Sequence, residues 1–168
     1  MHFKYAKWRW LRHHDQVDDQ DVQFDAFVSY ASDDQEWVDQ VLSKSMERPG
    51  FKLCLHERDF QVGRSITENI VDCMGKSRYC LIILSHHYIK SNWCIFEAQV
   101  AQSLMKDKLT MIVLDKDVVG KSSLANGIKT LIKTRTFIIW DGHDHKFWRR
   151  IDDAMSRSST GLSILNYQ

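Results

Sequence analysis

From residue 24 onward the chain alternates two patterns. Continuous, β-rich apolar runs occur at Phe24–Val28, Phe51–Leu55, Tyr79–Leu84, Thr110–Leu114 and Thr136–Trp140. Short unbroken runs of this kind suit strands buried on both faces. Between the first four lie stretches of helical spacing with start signals. Ser32-x-x-Gln35 and Asp33-x-x-Glu36 are alternative capping boxes ahead of Trp37, Val38, Val41 and Leu42. Ser65-x-x-Glu68 is a third, ahead of Ile66, Ile70, Cys73 and Met74. Ser91 or Asn92 caps a helix bearing Trp93, Phe96, Val100 and Leu104; residues 120–133 read as a weak helix and 145–156 as a last amphipathic one.

Five strands separated by helices predict an α/β domain built of parallel βαβ units with right-handed crossovers, its sheet covered on both faces. The common five-strand arrangement is flavodoxin-like, order 2-1-3-4-5, with its switch point between strands 1 and 3. The loops at 29–33 and 85–91 would then flank the ligand crevice.

Composition supports one domain. The 168 residues are 43% hydrophobic, enough for a core burying roughly 68–70% of the unfolded surface. The longest apolar run, Tyr79–Leu84, is far short of the ~18 residues a membrane span needs. Cys54, Cys73, Cys80 and Cys94 form no CxxC pair and no zinc-like spacing, and read as reduced thiols in the core. Residues 2–14 contain no apolar stretch of signal-peptide type, so the compartment reads as cytosolic.

The formal charge of +1 argues against a nucleic-acid binder, which needs a clear basic excess. That total conceals a division. Residues 1–14 carry Lys4, Lys7, Arg9 and Arg12 among Phe3, Tyr5, Trp8 and Trp10, with no acid. Residues 15–23 carry Asp15, Asp18, Asp19 and Asp21, leaving +1 for the remainder. Interleaved cations and rings suit a membrane–water interface; the alternative is a disordered leader. The expected organisation is a leader over 1–23, a domain over 24–155 and a frayed tail over 156–168.

Several chemistries fail on spacing. Gly120-Lys121-Ser122 resembles the end of a phosphate-binding loop, but the required first glycine is Asp115. No GxGxxG exists, and Ser85 stands where a receiver domain carries its phosphoacceptor aspartate. His86-His87 and Asp141-Gly-His143-Asp-His145 have metal-like composition without partners at recognisable spacing, so no metal or cofactor is expected.

The run Phe24-Asp-Ala-Phe-Val-Ser-Tyr30 resembles box 1 of TIR (Toll/interleukin-1 receptor) domains. Phe51–Asp59 with Phe60-Gln-Val-Gly63 resembles their second strand and box 2. Ser85–Glu97 resembles the passage from the third strand into the third helix, and Phe147-Trp148 resembles box 3. The order and spacing are the family's across about residues 24–155, with particular similarity to the cytoplasmic domains of Toll and Toll-like receptors. The resemblance implies a TIR fold and homotypic association with receptor and adaptor TIR domains, forming oligomers on activation in innate immune or developmental signalling. It also implies a single-pass parent receptor, with this domain on the cytoplasmic side of a plasma or endosomal membrane and residues 1–14 next to that membrane. One departure is Val62, where many relatives carry proline before the box 2 glycine, a change that should leave the loop more mobile.

Two candidate sites follow. The loop His56–Ser65 presents Arg58, Asp59, Phe60, Gln61, Val62, Gly63 and Arg64 as a TIR–TIR binding surface; Arg58 and Asp59 are alternatively suited to holding its base, and Phe60 to tucking inward. The second is Glu97, about 40° from Trp93 on a helical wheel and otherwise among Val100, Ala101 and Leu104. A carboxylate on an apolar stripe needs a partner. Either a nearby Lys or Arg pairs with it and fixes the helix, or it is catalytic. TIR-type NAD glycohydrolases place a glutamate at this WxxxE position. Under that alternative NAD is the substrate, Glu97 supports an oxocarbenium-like state and Trp93 walls the pocket. The scaffold reading is preferred.

Overall fold

The computed structural model describes residues 21–142 and 145–157. The membrane-adjacent reading of residues 1–14, and the frayed tail from residue 158 on, lie outside the described residues. Five strands form a single sheet: β1 Phe24–Ser29, β2 Leu53–Cys54, β3 Ser77–Leu84, β4 Leu109–Val113 and β5 Phe137–Ile139. Their order is β2-β1-β3-β4-β5 and every neighbouring pair is parallel. This is the flavodoxin-like arrangement that the alternation of runs predicts.

Six helices cover the sheet: α1 (35–46), α2 (His56–Asp59), α3 (Ile66–Gly75), α4 (Asn92–Leu104), α5 (Asn126–Thr134) and α6 (His145–Arg157). Period-two alternation along the strands divides the core into two layers. Phe27, Cys80, Ile82, Leu84 and Met111 face α3, α4 and α5, meeting Ile70, Met74, Ala98, Ala101 and Ile128. Ala26, Val28, Leu81, Ile83 and Ile112 face the other way, onto Val38, Leu42 and Met46 of α1 and Phe147 and Ile151 of α6. Each such large aliphatic side chain, fully buried, stabilises the fold by about 1.5–3 kcal/mol. All four cysteines are free thiols in this core.

The structure differs from the expectations at several places. The second strand keeps only two residues, because Phe51 instead pairs with Arg48 across a tight turn at Pro49-Gly50, where Gly50 has φ 84°. Neither capping box before α1 forms; a single 3₁₀ turn at Ser32–Asp34 precedes it, with no side-chain cap. The middle of α1, Val38–Ser43, widens into a π-helix. The box at Ser65 does form: Glu68 N–H donates to Ser65 Oγ and Ser65 N–H to Glu68 Oε2, each at 3.2 Å. Ser91 caps α4 by accepting from Cys94 N–H at 3.3 Å. Residues 120–133 divide into the end of a 3₁₀ segment at Lys116–Gly120 and α5.

The buried stripe of α4 is Cys94, Glu97, Ala98, Val100 and Ala101. Trp93, expected on that stripe, is 52% exposed. The small alanines let the helix lie close to the sheet, which turns the bulkier Trp93 to the flank.

Candidate functional site

The carboxyl ends of β1 and β3 open onto the switch point, and α4 passes directly beside them. Ser29, the last residue of β1, donates its hydroxyl to Glu97 Oε2 at 2.5 Å. Tyr88, in the 3₁₀ turn after β3, bonds the same Ser29 oxygen at 2.8 Å. With the Ser29 proton committed to Glu97, Tyr88 is the donor. Glu97 is 3% exposed, and its other oxygen, Oε1, lies 2.9 Å from His56 Nε2. That distance is an ion pair's, but the ring's direction falls outside hydrogen-bond geometry and Nε2 makes no directional bond. The contact is therefore electrostatic. The partner expected for Glu97 was a Lys or Arg; the structure supplies an imidazole and a hydroxyl instead.

The charge of Glu97 is felt by its neighbours. Burial, and then Glu97, push the Tyr88 phenol well above its usual range. Tyr30 is pushed up to about 12 by burial and then by the carboxylates of Asp39, Glu57 and Glu97. Both tyrosines stay neutral at physiological pH. Tyr30 stacks on the His56 ring at 4.8 Å and 7° between planes, fixing the imidazole from its other side.

His56 is also the first residue of the box 2 loop, so the buried carboxylate and the loop form one assembly. A single helical turn, α2, carries the loop's base. Arg58 reaches Glu47 by two bonds, at 3.1 and 2.7 Å, and also donates to Asp59 at 3.1 Å and to the Leu53 carbonyl. Asp59 accepts Leu55 N–H at 2.9 Å. Phe60 is half-buried, 5.0 Å from His56 and stacked at 6.4 Å on Phe27. Of the inward and outward placements open to Phe60, the structure adopts the inward one.

Beyond Phe60 the loop changes character. Asn69, a buried amide on α3, accepts Gln61 N–H at 2.8 Å and donates to the Gln61 carbonyl at 3.0 Å. Arg64 N–H then reaches the Gln61 carbonyl at 3.4 Å, closing a turn through Val62 and Gly63. Gly63 has φ 87°, the left-handed value that a type II turn requires at its third residue. Val62 is 104% exposed. Arg64 is exposed and, among the described residues, its side chain is held by Gln61 and Asp72, each at 3.3 Å.

Further polar groups at this rim bond one another, although the buried Tyr30 hydroxyl has no hydrogen-bond partner among the described residues. Ser85 donates to Asp34 at 2.5 Å and accepts Tyr88 N–H at 3.0 Å; burial raises the Asp34 carboxyl above its ordinary value. His86 lies 3.0 Å from Asp117 and 2.8 Å from Lys121. Among the described residues no group of three His, Cys, Asp or Glu side chains is arranged to hold a metal ion. The sequence reading did not single out Ser29, His56, Tyr88 or Asn69. A polar residue on the buried face of α3 was a visible signal for Asn69, whereas nothing local marks the other three.

Comparison with known proteins converges on one family. A family model described as "TIR domain" matches residues 23–164. Toll-like receptor 13 of Mus musculus is 38% identical over 146 residues, 81% of this chain and 15% of the relative. Toll-like receptor 4 of Rattus norvegicus is 38% identical over 144 residues, 79% of this chain and 17% of the relative. The chain thus spans less than a fifth of the length of these curated relatives. The crystal structure of the TIR domain of a Toll-related receptor from Hydra magnipapillata has a TM-score of 0.66 at 25% identity, covering 80% of this chain and 99% of that one. A metazoan TIR-STING receptor from C. gigas, solved with 2',3'-cGAMP, has a TM-score of 0.60 at 26% identity, covering 81% of this chain and 39% of that one.

Proposed function

The chain belongs to the TIR domain family, and on that premise we propose that it is the cytoplasmic signalling domain of a Toll-like receptor. It associates with other TIR domains through the exposed half of its box 2 loop. Its partners are a second copy of itself and the TIR domains of adaptor proteins, and the parent is a single-pass receptor at a plasma or endosomal membrane. No cofactor takes part. Among the described residues no helix is long and apolar enough to cross a membrane.

One observation carries this reading: the residues from Gln61 to Arg64 form an ordered turn that leaves Val62 wholly exposed. Burying a valine contributes about 1.5–3 kcal/mol, while association costs about 4–15 kcal/mol. The loop therefore works only when receptor clustering raises the effective concentration.

The alternative, an NAD glycohydrolase using Glu97, retains the Trp93–Glu97 spacing. The geometry favours a scaffold. Both Glu97 oxygens are engaged, the carboxylate is closed to solvent, and Trp93 stands exposed beside Phe96.

The test compares wild type with Val62→Asp/Arg64→Glu, which spares Phe60 and the loop's base. The expected result is loss of TIR–TIR co-association between membrane-tethered copies, with an unchanged Tm. Unchanged association, or nicotinamide release from NAD that disappears in Glu97→Ala, overturns the proposal.

A further inference from the structure

In this parallel sheet the amino ends of all five strands share one rim, opposite the box 2 loop. Four of the five begin beside cations. Lys52 precedes β2, Arg78 is the second residue of β3, Lys106 and Lys108 form the turn before β4, and Lys133 lies in the last turn of the helix before β5. All five of these side chains are exposed. With neighbouring strands about 4.8 Å apart, they make a row about 19 Å long.

Part of the rim is internally neutralised: Lys76 pairs with Asp72 at 2.8 Å and Arg135 with Asp107 at 3.2 Å. Asp25 accepts the Lys52 backbone N–H at 2.7 Å, and Lys52 Nζ lies over the Phe24 ring. Lys106, Lys108 and Lys133 make no ion pair among the described residues. A cation at a helix end offsets the macrodipole, and Lys133 meets that need for α5. Lys106 and Lys108 lie beyond the end of α4 and exceed it. The opposite rim is mixed in sign, with Asp33, Glu57, Asp115, Asp117 and Asp141 following the strands beside Arg58, Lys90, Lys116 and Lys121. The excess of lysines without an ion pair among the described residues therefore lies on the amino-end rim.

We propose that the basic rim docks onto an anionic lipid surface. β1 begins at this rim, so residues 1–23 join the domain there, and their first part is the cationic, aromatic segment suited to a membrane interface. Rim and leader then meet the same surface, and the box 2 loop is held facing away from the bilayer, toward arriving partners. The proposal rests on the membrane-side placement given above. The nearest rival for the rim is the chain's own run Asp15, Asp18, Asp19 and Asp21.

Co-sedimentation of the full chain with phosphatidylcholine vesicles, with and without phosphatidylserine, tests this. Binding should require phosphatidylserine and weaken with salt. Lys106→Glu/Lys108→Glu/Lys133→Glu should lower it at least about 100-fold, since loss of each cation alone is worth roughly fivefold. Lys90→Glu/Lys116→Glu, on the other rim, should change it little, and circular dichroism confirms that each variant is folded. The proposal is overturned if the rim triple binds like wild type while substitution of Lys4, Lys7, Arg9 and Arg12 by Glu abolishes binding. It is equally overturned if the two rims respond alike, or if binding emerges only when the four aspartates become Asn. No vesicle binding with TIR association intact removes the rim from the mechanism and leaves the association reading standing.

Discussion

The two halves of the box 2 loop, joined at Phe60, are built in opposite ways. The base is held from four directions: Glu97 and Tyr30 on His56, Glu47 and the Leu53 carbonyl on Arg58, Leu55 N–H on Asp59, and Phe27 on Phe60. The distal half hangs from one amide clamp at Asn69, one turn and the Arg64–Asp72 pair. The difference separates stability from recognition. Residues in the base are paired, and all but Arg58 of those named are half-buried, so substitutions there act on the fold. Val62 and Arg64 have little to lose in the fold, so substitutions there act on partners.

The contrast breaks most visibly at His56. Removing its ring leaves the buried Glu97 carboxyl with only the Ser29 hydroxyl, and stranding a buried polar group costs about 1–3 kcal/mol. His56→Ala should therefore lower the stability in urea by that amount, although no partner-facing residue is altered. A loss below about 1 kcal/mol would show that Glu97 does not depend on the loop, and the base would no longer differ from the tip. Glu97→Gln should be milder than His56→Ala, because an amide still accepts from Ser29 and carries no charge to strand.

The sequence announced some of this assembly and concealed the rest. Five continuous apolar runs were enough for the strands, since a buried parallel strand has no polar face to obscure it; their order came from the common arrangement of such folds. Glu97 was visible as an acid on an apolar stripe. Its partners were not, because they come from the ends of β1 and β2 and are brought together only by the crossovers. The shortening of β2 has a similar origin: Phe51 has strand propensity, but the turn at Pro49-Gly50 claims its backbone for Arg48. The inward position of Phe60 was one of two open readings, since an aromatic beside a turn fits a core or an interface equally well. Ser85 was read as a loop residue and Asp34 was not singled out; across the switch point they bond each other, a pairing of residues 51 positions apart that no local pattern announces.

Arg58 should have an intermediate effect. Its side chain is 42% exposed, so solvent screening reduces its pairing with Glu47, but the Leu53 carbonyl loses its bond as well. Arg58→Ala should cost about 1–2 kcal/mol at neutral pH. Its pH dependence identifies the cause. The Arg58 hydrogen bonds hold the Glu47 carboxyl below its ordinary value of 4.5. A depressed carboxyl stabilises the fold above the unfolded value and loses that contribution as pH falls through the folded one. The Tm gap between wild type and Arg58→Ala should therefore narrow on acidification below about pH 4.5. A gap constant from pH 7 to pH 3 would assign Arg58 a packing role alone.

The smallest effect belongs to the tip, and its sign is opposite. Val62 occupies the second position of a turn whose third residue, Gly63, has φ 87°. That second position is where proline's fixed φ near −65° fits a type II turn. No described hydrogen bond uses the Val62 amide, so proline removes no bond there, and the full exposure of Val62 leaves room for the ring. Val62→Pro should then stabilise the domain by about 0.4–1 kcal/mol, through lost entropy of the unfolded chain. It should also tighten TIR–TIR association, because less ordering remains to be done when a partner arrives. Destabilisation would mean that the turn is not the one its glycine indicates. Stabilisation without any change in association would mean that partners do not read the tip, and the division between a structural base and a recognising tip would fail at the residue where it is most exposed.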